Sequence, residues 1–313
     1  LLTSFVGYLW YWQNDTIEVL ASEIPFNLPI TAPRTGLPLP PSQVQRVGKI
    51  DHVIRWQGMV GTMERKSTSR SIAPDSDYWD KSKKDTQVSA YAAAFRELIA
   101  SGEMAKFAGP LPLKEGEEMP RIGNTLYDCW HKPTISPAPL TQAETAEFIK
   151  TGKYQEQDFK VTWDKLPVAI PPKDPEKDIP ITELVTVNGA IAEVKQGKKG
   201  FAIRETVEMF GARLLQDIYA RPEFYYQRRE IVRTDKELDK FRIEGYNVYQ
   251  TMRLMDNSGH WYENESQCRA TFPCPYIPIC YGPGADAVCD GQTTPQGYKR
   301  IFVDLKAKEA EEE

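Results

Sequence analysis

Three short strings between residues 48 and 91 constrain what this chain can fold into more than any other feature: GKID (48–51), ERK (64–66) and QVSAY (87–91). The first two strings lie at the outer ends of two apolar, strand-like runs, at residues 53–56 and 59–63, which are separated by Gln57 and Gly58. Glycine in the second loop position suits a tight two-residue hairpin turn. The sequence therefore predicts a β-hairpin with charged residues at its open end.

The register of this hairpin brings three charged side chains together. Asp51 is expected directly opposite Glu64, and the Cβ atoms of directly opposed residues are roughly 4.5–5.5 Å apart. Lys66 lies two residues further along the same face, because side chains alternate along a strand. Two close carboxylates repel each other unless a cation lies between them, and hard divalent cations prefer oxygen ligands. We therefore predict that Asp51, Glu64 and the main-chain carbonyl of Arg65 bind Mg²⁺ or Mn²⁺.

A bound divalent ion would activate water near neutral pH, and Lys66 would orient that water or stabilise the developing negative charge. The alternative is a surface hairpin with an ordinary cross-strand ion pair. Both faces of the hairpin are largely apolar, however, which predicts a central strand pair that is covered on both sides. Charged residues are rarely buried in such a pair unless they have a specific partner. We therefore favour the metal site.

The third string lies in a predicted helix. Val88, Tyr91 and Phe95 begin an apolar pattern with helical spacing that continues to residue 99. Asp85 is a plausible N-cap, and the helix is expected to stop near Gly102. Gln87 and Tyr91 are one turn apart, so their side chains project together.

The order of these motifs resembles the RecB-like branch of the PD-(D/E)XK nucleases. Similarity to a phage-associated subset of that family extends to residues 123–133 and 205–233 and to the closing cysteine region. The resemblance implies an α/β, restriction-endonuclease-like fold, with a mixed sheet of about four or five strands flanked by helices and a helical, cysteine-rich C-terminal region. It also implies that Asp51, Glu64 and Lys66 are catalytic and that Gln87 and Tyr91 help to hold DNA.

Four of the five cysteines lie late in the chain, at Cys268, Cys274, Cys280 and Cys289. Clustered thiolates in a chain without a secretory signal suggest a metal site, and Zn²⁺ is the default for four cysteines. Their spacing is wider than that of a zinc ribbon. The string CPYIPIC (274–280) is similar to the end of iron–sulfur-bearing RecB-like nucleases, which implies that these cysteines hold a structural [4Fe–4S] cluster.

Two departures from the family concern the start of the chain. The family usually has a histidine before the first core strand and a cluster cysteine before the nuclease core, whereas no histidine precedes His52 and no early cysteine is present. The chain begins at Leu1, inside an apolar, helix-like run. We expect that a preceding segment supplies both residues; for the cluster, Cys289 is the other candidate for the fourth ligand.

Composition divides the 313 residues into four regions. We predict a nuclease core at 1–133, a Pro-rich and charged insertion at 134–200, a helical part with the cysteine cluster at 201–305, and a charged tail at 306–313. The net charge of −5 excludes a general polyanion-coating protein, which needs positive charge over its surface. It does not exclude a nuclease, because only the groove that binds the substrate has to be basic. No apolar run of membrane-spanning length occurs, and no signal peptide is recognised.

Together these patterns predict a metal-dependent phosphodiester hydrolase that acts on DNA, most simply an exonuclease in recombination, repair or genome processing. The expected setting is the cytoplasm of a bacterium or a phage-infected cell, with a recombinase or helicase as a possible partner and no membrane. Two alternatives stay open. One is a catalytically weak DNA-binding or assembly subunit of a recombination complex, and the other is a zinc-stabilised interaction module.

Overall fold

The structure is a computed structural model that describes residues 2–108, 121–167, 181–197, 200–262, 264–270, 272–282 and 293–299. The chain divides into two compact units, Leu1–Asn247 and Val248–Glu313. The predicted tail at 306–313 lies outside the described residues. Within the described part, no helix is both long and apolar enough to cross a membrane.

The first unit is built on a mixed, five-stranded sheet with the strand order β1-β2-β3-β4-β12. Neighbouring strands are antiparallel except β3 and β4, which run parallel. The predicted class, an α/β chain with a mixed sheet of about five strands flanked by helices, is confirmed. The strands of this sheet are β1 (Glu18–Pro29), β2 (Gln45–Trp56), β3 (Met59–Thr68), β4 (Arg121–His131) and β12 (Tyr226–Ile231).

The predicted hairpin is confirmed as β2 and β3. Trp56 pairs with Met59 across the turn, and the ladder continues until His52 pairs with Met63. Gln57 and Gly58 both have positive φ, at 48° and 73°, which matches the twist that a two-residue hairpin loop requires. As predicted, the pair is central, because β1 covers one edge and β4 the other.

Nine helices occur in the described residues; the helix predicted to follow Asp85 and to stop near Gly102 is confirmed, and the region predicted as helical after residue 201 contains four of the nine. Asp85 caps α3 by accepting a hydrogen bond from the Gln87 backbone N–H, at 2.8 Å. The helices are α1 (Leu2–Tyr11), α2 (Asp77–Ser82), α3 (Thr86–Ala100), α4 (Ala105–Ala108), α5 (Gln142–Thr151), α6 (Val207–Ala220), α7 (Pro222–Tyr225), α8 (Asp235–Ser258) and α9 (Ile277–Cys280), with a 3₁₀ turn at Glu265–Gln267.

Different helices cover the two faces of the sheet. Val88 of α3 packs against Tyr127 and Cys129 of β4 in one buried cluster. Side chains alternate along a strand, and Trp130 of β4 accordingly packs in a different cluster that includes Tyr8 of α1. The carboxyl ends of β3 and β4 are therefore accessible to helical residues from both sides.

The region predicted as a surface insertion has a hydrophobic core of its own. Helix α5 packs there with short strands and with Met209 of α6 around a buried cluster. The buried carboxylate of Glu205 ties this region together by accepting hydrogen bonds from Arg213 (2.6 and 2.8 Å) and from the Ala138 backbone N–H (2.7 Å). The short strands are β5 (Lys153–Tyr154), β6 (Gln157–Asp158), β7 (Val161–Pro167), β8 (Ile181–Val187), β9 (Ala190–Ile191), β10 (Val194–Gln196) and β11 (Phe201–Ile203).

Candidate active site

Glu64 is the buried centre of the candidate site. It lies on β3 beside Tyr127 of β4, and its side chain is only 2% exposed. Its Oε1 atom forms an ion pair with the ammonium of Lys66. Its Oε2 atom is buried and has no hydrogen-bond partner among the described residues. One oxygen of a buried carboxylate is thus left without a donor, which is costly unless a further cation or proton is present.

Asp51 adds a second negative charge to this centre. The β2–β3 ladder ends at His52 and Met63, so Asp51 and Glu64 are the next residues on the two strands. Burial raises the pKa of Glu64 to about 6; Lys66 opposes the shift, and the nearby Asp51 carboxylate adds to it. The structure therefore brings the two predicted carboxylates together, and the surroundings of Glu64 favour the binding of a proton or a cation.

Lys66 connects the carboxylates to α3. Its Nζ donates to Gln87 Oε1 at 2.7 Å, and Gln87 Nε2 donates to the Tyr91 hydroxyl at 2.8 Å. Burial acts to lower the pKa of Lys66, but the hydrogen bond and the charges of Glu64 and Asp51 outweigh it, so the pKa is raised and the side chain stays charged. All five predicted side chains, Asp51, Glu64, Lys66, Gln87 and Tyr91, thus belong to one polar cluster.

The start of α3 is held over the sheet by contacts that the sequence did not reveal. The Asp85 carboxylate accepts a hydrogen bond from the Tyr127 hydroxyl at 2.8 Å. Arg233 donates to the carbonyl oxygens of Ser82 and Asp85, at 3.0 and 3.2 Å. Because Tyr127 neighbours Glu64, these bonds fix Gln87 next to Lys66. Asp85 was predicted only as a helix cap, and nothing local to Arg233 signals its role.

The two carboxylates match an open site for a hard divalent cation better than a site in which the protein supplies every ligand. Across the described ranges, no three His, Cys, Asp or Glu side chains form a group that could hold a metal ion. Mg²⁺ is commonly held by one or two carboxylates, with water and substrate phosphates completing its shell. The unpartnered Oε2 of Glu64 beside Asp51 matches that mode of binding. The ligand role of the Arg65 carbonyl remains a prediction.

A second buried carboxylate, Asp128, lies on the other face of the sheet and was missed by the sequence analysis. Asp128 accepts a hydrogen bond from the Tyr8 hydroxyl and lies 3.3 Å from Arg228 Nε and 3.8 Å from Arg65 Nε. A charged residue in the apolar run 126–130 was the signal that could have identified it, since unpaired charges are almost never buried.

The late cysteines do not form a metal-binding group within the described residues. The Cys274 backbone N–H donates to the carbonyl of Cys268 at 2.8 Å, and the Tyr281 hydroxyl donates to Cys268 Sγ at 3.6 Å. Cys280 is exposed at the end of α9. The predicted fourth ligand, Cys289, lies outside the described residues. The iron–sulfur cluster and its zinc alternative therefore remain predictions.

Comparison of the chain with models of known families, with curated proteins and with solved structures finds no match in any of the three.

Proposed function

We propose that this protein is a divalent-metal-dependent deoxyribonuclease that hydrolyses DNA phosphodiester bonds, and that it acts as an exonuclease. The observation that carries the proposal is the pair of carboxylates at the open end of the hairpin. Buried Glu64 keeps an unpartnered oxygen and a pKa of about 6 beside half-buried Asp51, and Lys66 forms an ion pair with Glu64. A strongly perturbed buried group with a specific charged partner is typical of functional sites.

In this proposal Asp51 and Glu64 hold Mg²⁺ or Mn²⁺, with the Arg65 carbonyl as a further ligand. Such an ion polarises a phosphoryl oxygen and lowers the pKa of bound water. Lys66 supplies a permanent positive charge at the same place, because Glu64 and Asp51 raise its pKa. Its ammonium would orient the attacking water or stabilise the negative charge that develops on the phosphoryl group.

Gln87 and Tyr91 position the Lys66 ammonium and the DNA strand. The Gln87 carbonyl oxygen accepts from Lys66, and the Gln87 amide donates to Tyr91, so the glutamine fixes the direction in which the ammonium points. The Tyr91 ring lies at the other end of this chain of hydrogen bonds. It is suited to contact the DNA strand while the carboxylates hold the metal.

We further propose that the enzyme serves recombination, repair or genome processing in the cytoplasm of a bacterium or a phage-infected cell, with a recombinase or helicase as partner. Support for this setting comes from the motif order in the sequence. An interaction test with a candidate recombinase, read by co-purification, would check it separately from the chemistry.

The deciding experiment is a cleavage assay with the full chain, purified without oxygen, on end-labelled single- and double-stranded DNA. We expect Mg²⁺ or Mn²⁺ to support the release of short products and a chelator to abolish it. Glu64→Gln, purified in parallel, is the matched control for contaminating nuclease. Equal cleavage by the wild type and by this variant, or none by either, would refute the proposal.

We also propose that Cys268, Cys274, Cys280 and Cys289 hold a structural [4Fe–4S] cluster, with support from their spacing in the sequence. Thiolates suit iron–sulfur clusters and Zn²⁺ alike, so the metal has to be measured. Anaerobically purified protein should be brown, contain near-equal iron and sulfide, and bleach on reduction. Colourless protein with stoichiometric zinc would establish the zinc alternative and leave the nuclease proposal intact.

A further inference from the structure

A cavity of about 320 Å³ lies on the face of the sheet opposite Glu64. Helix α1 supplies two aromatic walls, β4 supplies a third, and the end of β3 supplies polar groups. We call it the aromatic cavity, and its lining residues are Phe5, Tyr8, Arg65, Lys66, Ser67, Asp128 and Trp130.

The walls of the aromatic cavity are held in place without a ligand. The Tyr8 hydroxyl donates to Asp128 and accepts from Arg228 Nη2 at 2.8 Å. Arg65 Nε lies 3.8 Å from the same Asp128 carboxylate, while its side chain remains 52% exposed. Asp128 therefore orients both an aromatic ring and a guanidinium, and a pre-ordered site loses little entropy when it binds a ligand.

A second cleft, of about 370 Å³, adjoins the aromatic cavity at the end of β3, since Lys66 and Ser67 line both. We call it the basic cleft, because three cations, Lys66, Arg70 and Lys81, lie along it with one carboxylate, Asp85. Neither Arg70 nor Lys81 forms an ion pair with another residue that the structure describes. A strand that crosses the end of β3 would meet cations on one side and aromatic rings on the other.

We propose that the aromatic cavity binds one unpaired nucleobase of the strand being cut, while neighbouring phosphates lie along the basic cleft. The inference rests on the proposed function and deepens it by assigning the substrate class. Aromatic faces and guanidinium groups stack on any base, and cationic grooves follow the phosphates. A base can enter such a cavity only when it has left its duplex, so the preferred substrate is single-stranded DNA.

The test measures binding with a chelator present, so that hydrolysis does not interfere. The probes are a single-stranded oligothymidylate and a strand of equal length whose central nucleotides are abasic. Phe5→Ala should weaken binding of the oligothymidylate by about 5- to 150-fold, the effect of losing one stacked base, and should leave the abasic strand unchanged. Phe5→Tyr, which keeps the ring, should restore binding. Leu9→Ala is the matched control, because Leu9 is 53% exposed on the same helix but does not line the cavity.

The basic cleft has its own matched pair. Arg70→Ala and Lys81→Ala should each reduce the slope of log affinity against log salt by about 0.7, the value for one phosphate contact with a single strand. Lys83→Ala should leave the slope unchanged, because Lys83 is paired with Asp80 at 2.7 Å and lies outside the cleft. Unchanged slopes for both cleft variants would overturn this part.

The nucleobase subsite is overturned if Phe5→Ala weakens both strands equally, if it weakens neither, or if duplex DNA binds as tightly as single-stranded DNA. These outcomes are separable from failure of the proposed function. A protein with the predicted binding pattern that never cleaves DNA keeps the subsite and loses the nuclease. A protein that cleaves DNA, but in which Phe5→Ala does not selectively weaken binding of the oligothymidylate, keeps the nuclease proposal and loses the subsite.

Discussion

Two buried carboxylates on neighbouring strands, Glu64 and Asp128, have opposite surroundings. Both side chains are 2% exposed, and they lie on opposite faces of the sheet. Asp128 has a tyrosine hydroxyl and two guanidinium groups within reach. Glu64 has one ammonium and a second carboxylate beside it. One oxygen of each carboxylate, Glu64 Oε2 and Asp128 Oδ1, has no hydrogen-bond partner among the described residues, but Asp128 Oδ1 lies 3.3 Å from Arg228 Nε.

In the proposed function, this difference distinguishes a structural carboxylate, Asp128, from a metal-binding carboxylate, Glu64. A buried carboxylate surrounded by donors holds its neighbours in place, and its removal leaves their charges uncompensated. A buried carboxylate beside another carboxylate is poised to bind a cation or a proton. We therefore expect substitutions at Glu64 to act on chemistry and substitutions at Asp128 to act on stability.

The largest effect should follow loss of either proposed metal ligand. Asp51→Ala or Glu64→Ala should remove detectable cleavage in a protein that still folds, since each change relieves repulsion between the carboxylates. Cleavage assays with Mg²⁺, paired with circular dichroism, would measure this. Near-normal hydrolysis by either variant would end the assignment of Asp51 and Glu64 as catalytic ligands.

Substitution of Asp128, on the opposite face of the sheet, should change the stability of the protein. Asp128→Ala should lower the free energy of unfolding by about 3–5 kcal/mol, because it leaves the buried Arg228 guanidinium with one acidic partner fewer. Urea denaturation would measure the loss. Asp80→Ala is the control: this exposed ion-pair partner of Lys83 should change stability by only about 0.5 kcal/mol. A loss at Asp128 no larger than that of the control would remove the contrast between the two carboxylates.

Lys66→Ala should reduce turnover by about 10²–10³-fold, as expected for a group that acts on the developing charge. The affinity for Mn²⁺ should change much less, since Lys66 is not one of the proposed ligands. Single-turnover cleavage and Mn²⁺ titration would separate the two quantities. If metal affinity fell in parallel with turnover, Lys66 would be a residue that positions Glu64 and no more.

The pH dependence of stability gives a finer test of Glu64. Its folded-state pKa of about 6 exceeds the ordinary value of 4.5, so the folded protein binds the proton more tightly and loses stability as pH rises through this interval. At pH 8 the loss is about 2 kcal/mol. Glu64→Gln should therefore stabilise the metal-free protein at pH 8 by up to that amount, and the gain should vanish below about pH 4.5. A Glu64→Gln protein less stable than wild type at pH 8 would contradict the raised pKa.

The smallest effects should come from the two residues that are proposed to position the DNA strand. Gln87→Ala and Tyr91→Ala should each weaken DNA binding by about 2- to 10-fold, the range for one net hydrogen bond, without changing Mn²⁺ affinity. Fluorescence anisotropy with a labelled single strand would measure the binding. A loss of metal affinity in either variant would instead place that residue among the groups that hold the ion.

The local part of the site was predictable from the sequence. The turn at Gln57 and Gly58 sets the register of the hairpin, and alternation along β3 then places Asp51, Glu64 and Lys66 together. The start of α3 was also predictable, because an Asp N-cap satisfies backbone donors of the first turn. Each of these inferences depends on residues close in the chain, whose geometry the backbone restricts.

What only the tertiary structure decided was the set of partners around each buried charge. Tyr8 and Arg228 approach Asp128 from 120 and 100 residues away in sequence. The bond from Lys66 to Gln87 is likewise supported by Arg233, which follows the edge strand β12 and donates to the segment before α3. The core of the region at 134–200 is another case, because it joins residues as far apart in sequence as Leu140 and Met209. Partner choice depends on which distant segments pack together, and periodicity and turn chemistry carry no information about that.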